Sequence, residues 1–226
     1  MIGKKPSLKG LAEGIREGIE QGIRSGLDSA KPEKMQEKRR RILDGVRKVI
    51  AGKGSLGVTM KSVAAEAGVS PGLIHYYFSD KEEMLYAVMR DNAQTLMQAF
   101  RQAFYNLKPG DDAPAIIARE YRRMHMDSPG YFNVFAECWP LAWTSRVMNA
   151  AFIQLFKDFW EAVEAMIAHL QEKGVVKPLL PLKQTAAMIN SQCDGLELQL
   201  RVFPELVHDD EFWKAYEFTL RALFEE

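Results

Sequence analysis

From Ile42 onward the chain repeats large apolar residues every three or four positions, and no other feature constrains its fold as strongly. Ile42, Leu43, Val46, Val49 and Ile50 form one such run. Phe152, Leu155, Phe159, Val163, Met166 and Leu170 form another. A period of three to four lines one face of an α-helix, whereas a half-buried strand needs strict alternation. No convincing alternation occurs, so a sheet has no segment to build from. Helix-breaking and capping residues gather near 52–57, 68–70, 79–80, 108–111, 128–130, 174–181 and 204–210. These breaks divide the chain into about nine helices after a distinct N-terminal extension. The expected fold is all-α.

The extension, taken as residues 1–34, carries an unusual repeat. Residues 10–29 read GLAEGIREGIEQGIRSGLDS, which sets Gly10, Gly14, Gly18, Gly22 and Gly26 beside Leu11, Ile15, Ile19, Ile23 and Leu27. On a helix, a period of four drifts by about 40° per repeat, so the apolar stripe winds round the surface. Five interior glycines cost about 4–5 kcal/mol relative to alanine. A disordered tail and a helix that docks on its own body or on a partner both fit this pattern. The mixed charge of the polar positions speaks against a membrane-surface helix.

The segment GVTMKSVAAEAGVS at 57–70 reads as a short helix and a tight turn that leads into a second short helix from Pro71 to about Phe78. Thr59 is a natural N-cap for the first helix, and Val63, Ala64 and Ala67 form its inward face. Gly68 suits the left-handed position that ends it. Ser70 caps the next helix, with Pro71 at its first position, where a missing N–H does no harm. Small residues at 64 and 67 allow a close helix crossing. This is a helix-turn-helix, whose second helix can enter a DNA major groove. In that helix Leu73, Ile74 and Phe78 serve the core and leave Gly72, His75, Tyr76 and Tyr77 outward. Exposed tyrosine and histidine can donate to phosphates and base edges; packing of one tyrosine on a neighbouring helix is the alternative. Asp80 and Glu83 form a capping-box-like start to a long helix. Lys81 in its first turn opposes the macrodipole, unless it and the helix N–H groups share a phosphate.

Residues of about 37–84, above all AGVSPGLIHYYFSDKEEM at 67–84, resemble the DNA-binding domain of TetR-family transcriptional regulators. His75 stands where members of that family typically carry tyrosine. The resemblance implies that Lys61, Ser62, Gly72, Leu73, His75 and Tyr76 approach base edges or adjacent phosphates. It also implies that Thr59, Tyr77 and Lys81 hold the phosphate backbone of a double-stranded operator. Ser70 completes the candidate set. Arg39, Arg40 and Arg41 read equally as added DNA contacts or as a solvated basic helix start. A helix-turn-helix domain over 35–82 followed by an effector-binding and dimerisation domain over 83–226 is the expected organisation.

Charge supports this division only when it is read by position. The chain has 226 residues with 30 Lys+Arg and 30 Asp+Glu, a net charge of zero. Residues 1–80 hold 15 basic and 9 acidic side chains, a net of +6, while residues 81–226 hold 15 and 21, a net of −6. Such asymmetry suggests a nucleic-acid or membrane contact at one end. Cys138 and Cys193 lie far apart and make no CxxC pair, so a disulfide scaffold, zinc ribbon or redox motif is not expected. No apolar run approaches the ~20 residues of a membrane span. The start, MIGKKP, lacks an apolar signal region, which points to the cytoplasm. His75, His125, His169 and His208 show no metal-ligand spacing, and no activated nucleophile is evident. Neither an enzyme nor a cofactor is expected.

Within the body, Cys193, Asp194, Gly195 and Leu196 are similar to the Asp-Gly-Leu pattern of the family's dimerising helix. Ala187, Ser191 and Gly195 form a row of small residues suited to a second helix. The last helix shows Phe212, Tyr216 and Leu223 on one face and Trp213, Leu220 and Phe224 on another, so one face is expected on the body and one on a second copy. A homodimer follows. The segment 124–160 is dense in aromatic and thioether side chains, with Ile153, Phe156, Trp160 and Ile167 making a second stripe on the helix that carries Phe152. Core packing accounts for much of this. A mostly apolar ligand pocket with few polar groups is the added expectation, lined by His125, Phe135, Trp139, Trp143, Phe156, Trp160 and Gln192. Indoles can cage a quaternary amine; a plain hydrophobic or aromatic effector fits as well. The combined expectation is a dimeric, ligand-responsive repressor, with activation, control by a protein partner, or a small helical enzyme as rivals.

Overall fold

The computed structural model describes residues 32–127 and 129–225. Among them are nine helices longer than one turn: α1 (Pro32–Lys53), α2 (Met60–Ala67), α3 (Pro71–Tyr77), α4 (Lys81–Phe104), α5 (Ala113–Asp127), α6 (Pro129–Cys138), α7 (Arg146–Glu172), α8 (Leu182–Val202) and α9 (Asp210–Arg221). A single turn at Leu141–Thr144 and 3-10 turns at Ser55–Gly57 and Pro204–His208 join them. One isolated antiparallel bridge, Pro178 with Phe224, is the extended pairing found among the described residues. The glycine repeat and all of the extension before Pro32 lie outside the described residues.

Local chemistry sets the head. Thr59 accepts from the Ser62 N–H at 3.0 Å and Ser62 Oγ accepts from the Thr59 N–H at 2.9 Å, a reciprocal box that satisfies two orphan donors of α2. Gly68 ends α2 at φ 63° and ψ 41°. The Val69 N–H reaches the Ala64 carbonyl at 3.0 Å and the Gly68 N–H reaches that of Ala65 at 3.3 Å, a Schellman pair. Ser70 then accepts from the Leu73 N–H at 3.3 Å and opens α3. Asp80 accepts from the Glu83 N–H at 2.8 Å and starts α4. Glu83 departs from the standard box by reaching back to the Ser79 N–H at 2.7 Å.

The head core joins Ile42 and Val46 of α1, Val63 of α2, Ile74 of α3 and Leu85 and Val88 of α4, all essentially without solvent contact. A close helix crossing centres on Gly45 of α1. A Cβ there would lie 3.0 Å from Ala67 Cβ and 3.1 Å from both the Ala67 nitrogen and the Val63 carbonyl oxygen. Arg41 closes the same crossing, because its Nη2 donates to the Ala67 carbonyl at 3.0 Å. A cation at the negative end of α2 is favourable, so this arginine caps α2 while remaining exposed to solvent.

Helix α4 runs through two cores. Its first half packs into the head, while Leu96 and Phe104 pack with Tyr121, Ile167, Leu170 and Leu220 in the body. Arg47 ties α1 to the middle of α4, donating to Asn92 Oδ1 at 2.9 Å and pairing with Asp91. Two expectations about apolar faces are corrected. Both rows of α9 face the chain's own body: Trp213, Tyr216, Leu220, Leu223 and Phe224 are buried and Phe212 is half-buried. The helix stops at Arg221, and the chain turns back so that the Leu223 carbonyl accepts from the Leu179 N–H at 3.0 Å. The second stripe of α7 is likewise only partly covered, since Ile153 and Trp160 face solvent while Ile167 is buried.

Candidate functional site

The head presents its candidate residues on the surfaces that the core leaves free. Thr59 and Lys61 are exposed on α2, and Ser62 is half-buried because its Oγ donates to the Gly57 carbonyl at 2.8 Å. On α3, Gly72, His75 and Tyr76 are exposed, with Tyr76 71% open to solvent. Ser70 is exposed and spends its side-chain oxygen on the cap of α3, while Leu73 is half-buried. Tyr77 is half-buried. Its hydroxyl donates to the Met35 carbonyl at 3.3 Å and its ring meets Tyr76 edge-on at 5.2 Å. One tyrosine thus packs on α1, not on the following helix, and the other points outward. Lys81 is half-buried beside the 3-10 turn, with Nζ 3.5 Å from the Leu56 carbonyl. Arg40 pairs with Glu37 at 2.9 Å. Residues 32–80 hold 9 basic and 5 acidic side chains, so the head is basic without the extension.

A cavity of about 740 Å³ opens in the body between α4, α5, α6, α7, α8 and α9. Its wall is mainly apolar and aromatic, including Phe100, Phe132, Phe135, Trp139, Phe156 and Phe159. Trp139 meets Phe156 edge-on at 5.6 Å, and Phe135 meets Phe159 edge-on at 6.1 Å. Polar groups come largely from α8, where Asn190, Asp194, Glu197 and Arg201 line the cavity at intervals of three and four residues. Burial, reinforced by neighbouring Glu197, pushes the Asp194 carboxyl up to about 6. Glu197 accepts the Tyr121 hydroxyl at 2.9 Å and lies 2.9 Å from His125 Nε2. Burial pushes the Cys193 thiol, and Cys138 beside the head core, up to about 12. Both therefore stay protonated and unreactive at neutral pH.

Phe135, Trp139 and Phe156 are the expected lining residues that the structure brings to this wall. The other four are placed elsewhere. His125 is buried behind the wall, stacked on Phe132 with ring centroids 3.7 Å apart. Trp143 is 79% exposed on the single turn after α6, and Trp160 is 44% exposed on the outer side of α7. Gln192 faces α9, where it accepts from Thr219 at 3.4 Å. The fourth tryptophan, Trp213, is buried in the core and donates to the Val207 carbonyl at 3.1 Å. No triple-indole cage exists, because α6 ends at Cys138 and Trp143 rides the separate turn that follows, while Trp160 sits on the outer side of α7. The missed liners Asp194 and Glu197 had a signal: a stripe of polar residues at 190, 194, 197 and 201 along one side of α8.

Helix α6 connects cavity and head. Phe132 and Phe135 line the cavity, while Val134 and Cys138 are buried in the head core. The Glu137 carboxylate accepts from the Ser55 N–H at 3.1 Å, in the turn before α2, and from Arg201 Nη2 of the cavity wall at 2.7 Å. One carboxylate therefore bridges the two compartments.

These features define a class: an all-helical protein with a helix-turn-helix head on a cavity-bearing body. Residues 42–88 match the family of bacterial regulatory proteins described as the tetR family. Over 82 residues it is 39% identical to the HTH-type transcriptional regulator BetI of Brucella anthropi, a match covering 36% of this chain and 42% of that protein. The BetI regulator of Rhizobium meliloti is 41% identical over 69 residues, covering 27% of this chain and 34% of its own length. The chain thus spans less than half the length of the curated relatives it matches. A transcriptional regulator from Saccharomonospora viridis, solved in complex with choline, shares the fold with a TM-score of 0.68 at 19% identity, covering 84% of this chain and 100% of the other. FadR from Bacillus subtilis in complex with stearoyl-CoA gives 0.65 at 15% identity, covering 81% and 96%. At such identities the likeness is one of fold. Among the described residues, no helix is long and apolar enough to cross a membrane.

Proposed function

We propose that this protein is a homodimeric regulator of transcription, most simply a repressor, that holds a two-fold-related DNA site and releases it when a small molecule fills the body cavity. Residues 35–82 are the DNA-binding head and residues 83–226 the effector and dimer part. The observation that carries this reading is helix α6, whose one side is cavity wall and whose other side is head core. The outward residues of α3, with Lys61 and Lys81 beside them, supply donors for bases and phosphates. Neighbours of this fold solved with choline and with stearoyl-CoA support a ligand in the body.

The dimer surface in this reading is the outer face of α8 with that of α9. Met188, Ser191, Gly195, Leu198 and Val202 lie on one exposed side of α8, and Ala215, Phe218 and Ala222 on one exposed side of α9. A Cβ at Gly195 would meet nothing within 4 Å in the single chain, which leaves room for a second helix. Two copies joined there form a four-helix interface and present two α3 helices to two half-sites.

An effector shifts the equilibrium only by its unequal affinity for the two states, and a swing from 1:99 to 99:1 needs a ratio of about 10⁴. The test begins by selecting duplexes bound by the full chain from a random pool. Compounds that enter the cavity are then titrated against the selected complex. An inverted repeat released by such a compound is the expected result. An inverted repeat that no cavity-binding compound releases would replace this reading with control by a protein partner.

A further inference from the structure

Asp194 is the anomaly of the cavity. Its carboxyl lines the wall and is half-buried, yet among the described residues it has no hydrogen bond and no ion pair. The charges next to it are already engaged: Glu197 holds Tyr121 and approaches His125, and Arg201 holds Glu137. Arg101, also at the wall, is solvent-exposed and therefore screened. A half-buried carboxylate without a partner costs free energy, and an opposite charge placed beside it would offset that cost. Burial, which holds the carboxyl's proton up to about 6, reflects the same deficit. An anionic ligand would meet two carboxylates on one helix. A neutral ligand would leave the cost in place.

Size narrows the class further. At about 740 Å³ the cavity lies in the range that encloses drug-sized molecules, and a compact cation would leave most of it empty. Aromatic faces and aliphatic side chains dominate the remaining wall, and aromatic faces attract cations as well as apolar groups. We propose that the ligand of this cavity is an amphipathic organic cation, its charged nitrogen paired with Asp194 and its hydrophobic body against Phe132, Phe135, Trp139 and Phe156. This inference rests on the reading of the cavity as the effector site and adds the chemistry of what enters it.

Four probes separate charge from hydrophobicity: dodecyltrimethylammonium, dodecanol and dodecanoate, which share a tail, and tetramethylammonium, which lacks one. Binding to the full chain at pH 7.5 is followed by calorimetry below the micellar range. Dodecyltrimethylammonium is expected to bind at least tenfold more tightly than dodecanoate and than tetramethylammonium. Asp194→Asn should weaken the long-chain cation about tenfold and leave dodecanol unchanged. Ala162→Phe, which places a ring in the cavity, should abolish all long-tail binding and so distinguishes the cavity from surface adsorption. Equal or tighter binding of dodecanoate would overturn the proposal, as would an unaltered cation affinity in Asp194→Asn. Dodecanol binding as tightly as the cation and releasing DNA would overturn the charge assignment while keeping the effector site. Long-tail binding that survives Ala162→Phe, or no binding by any probe, would overturn both.

Discussion

Gly45 is predicted to be irreplaceable although it sits in the middle of a helix. Substituting alanine there gains about 1 kcal/mol of helix propensity. Against that gain, the new methyl would lie 3.0 Å from Ala67 Cβ and 3.1 Å from the Ala67 nitrogen and Val63 oxygen. Carbon contacts are best at roughly 3.5–4.0 Å, so about half an ångström must be found. Two of the three atoms are backbone of α2, held by the Schellman turn and by Arg41. Overpacking of this kind costs about 1–3 kcal/mol. Gly45→Ala should therefore be net destabilising by about 1 kcal/mol and Gly45→Val by about 3 kcal/mol. Gly52 supplies the internal control, because it lies on the same helix and a Cβ there meets nothing within 4 Å. Gly52→Ala should stabilise by about 0.5–1 kcal/mol. Thermal unfolding reads the difference as opposite shifts in Tm, each about 2–4 °C per kcal/mol in a chain of this size. If Gly45→Ala proves as stable as Gly52→Ala, the crossing is soft and the close approach is not what the glycine serves.

Other consequences can be checked directly. Asp194 has a native pKa of about 6 against an ordinary 3.8, so the folded state takes up protons that the unfolded chain does not. Stability should rise as pH falls through 6 and level off below 3.8. Asp194→Asn should remove that slope and add about 1 kcal/mol at pH 7, the partial exposure of the carboxyl holding the figure down; denaturant titrations at several pH values will show whether the slope persists. Lys81→Ala should lower the slope of log affinity against log salt by about one for each head engaged, and an unaltered slope removes its phosphate role. Glu137→Gln should weaken the link to Arg201 while keeping an acceptor for Ser55, so DNA affinity is largely retained and release by a cavity ligand is blunted; unchanged release would show that coupling runs elsewhere. Phe218→Arg places a charge on the 72%-exposed ring position of α9 and should yield monomers in sedimentation, while a persistent dimer would move the interface to another face.

Helix α6 explains how a distant cavity can matter to the head. A ligand that moves Phe132 or Phe135 acts on the same short helix that buries Val134 and Cys138 in the head core. Glu137 adds a hydrogen-bonded link to the turn before α2. In the proposed reading, a ligand-driven shift of α6 would reach the head through these contacts.

The helix-turn-helix was legible residue by residue because each of its determinants acts within a few positions. Thr59, Gly68, Ser70, Pro71 and Asp80 cap or turn their own neighbours, and these local hydrogen bonds do not depend on what packs above them. Helical spacing similarly implied which residues are apolar on a face, but not which partner that face meets. Three tryptophans between 139 and 160 looked alike in sequence, yet only Trp139 lines the cavity, because a helix break after Cys138 puts Trp143 on a separate exposed turn and the rotation of α7 turns Trp160 outward. Gly45 gained its role from Ala67, 22 positions away, and Glu137 from Ser55 and Arg201, 82 and 64 positions away. The unpaired state of Asp194 is likewise a property of the assembled wall. Sequence by itself determined the head and most helix ends, since those follow from short-range bonding and periodicity, but it did not show the break between Cys138 and Arg146. Tertiary structure alone decided the cavity, its charge and its link to the head, since these depend on which faces of distant helices are turned toward one another.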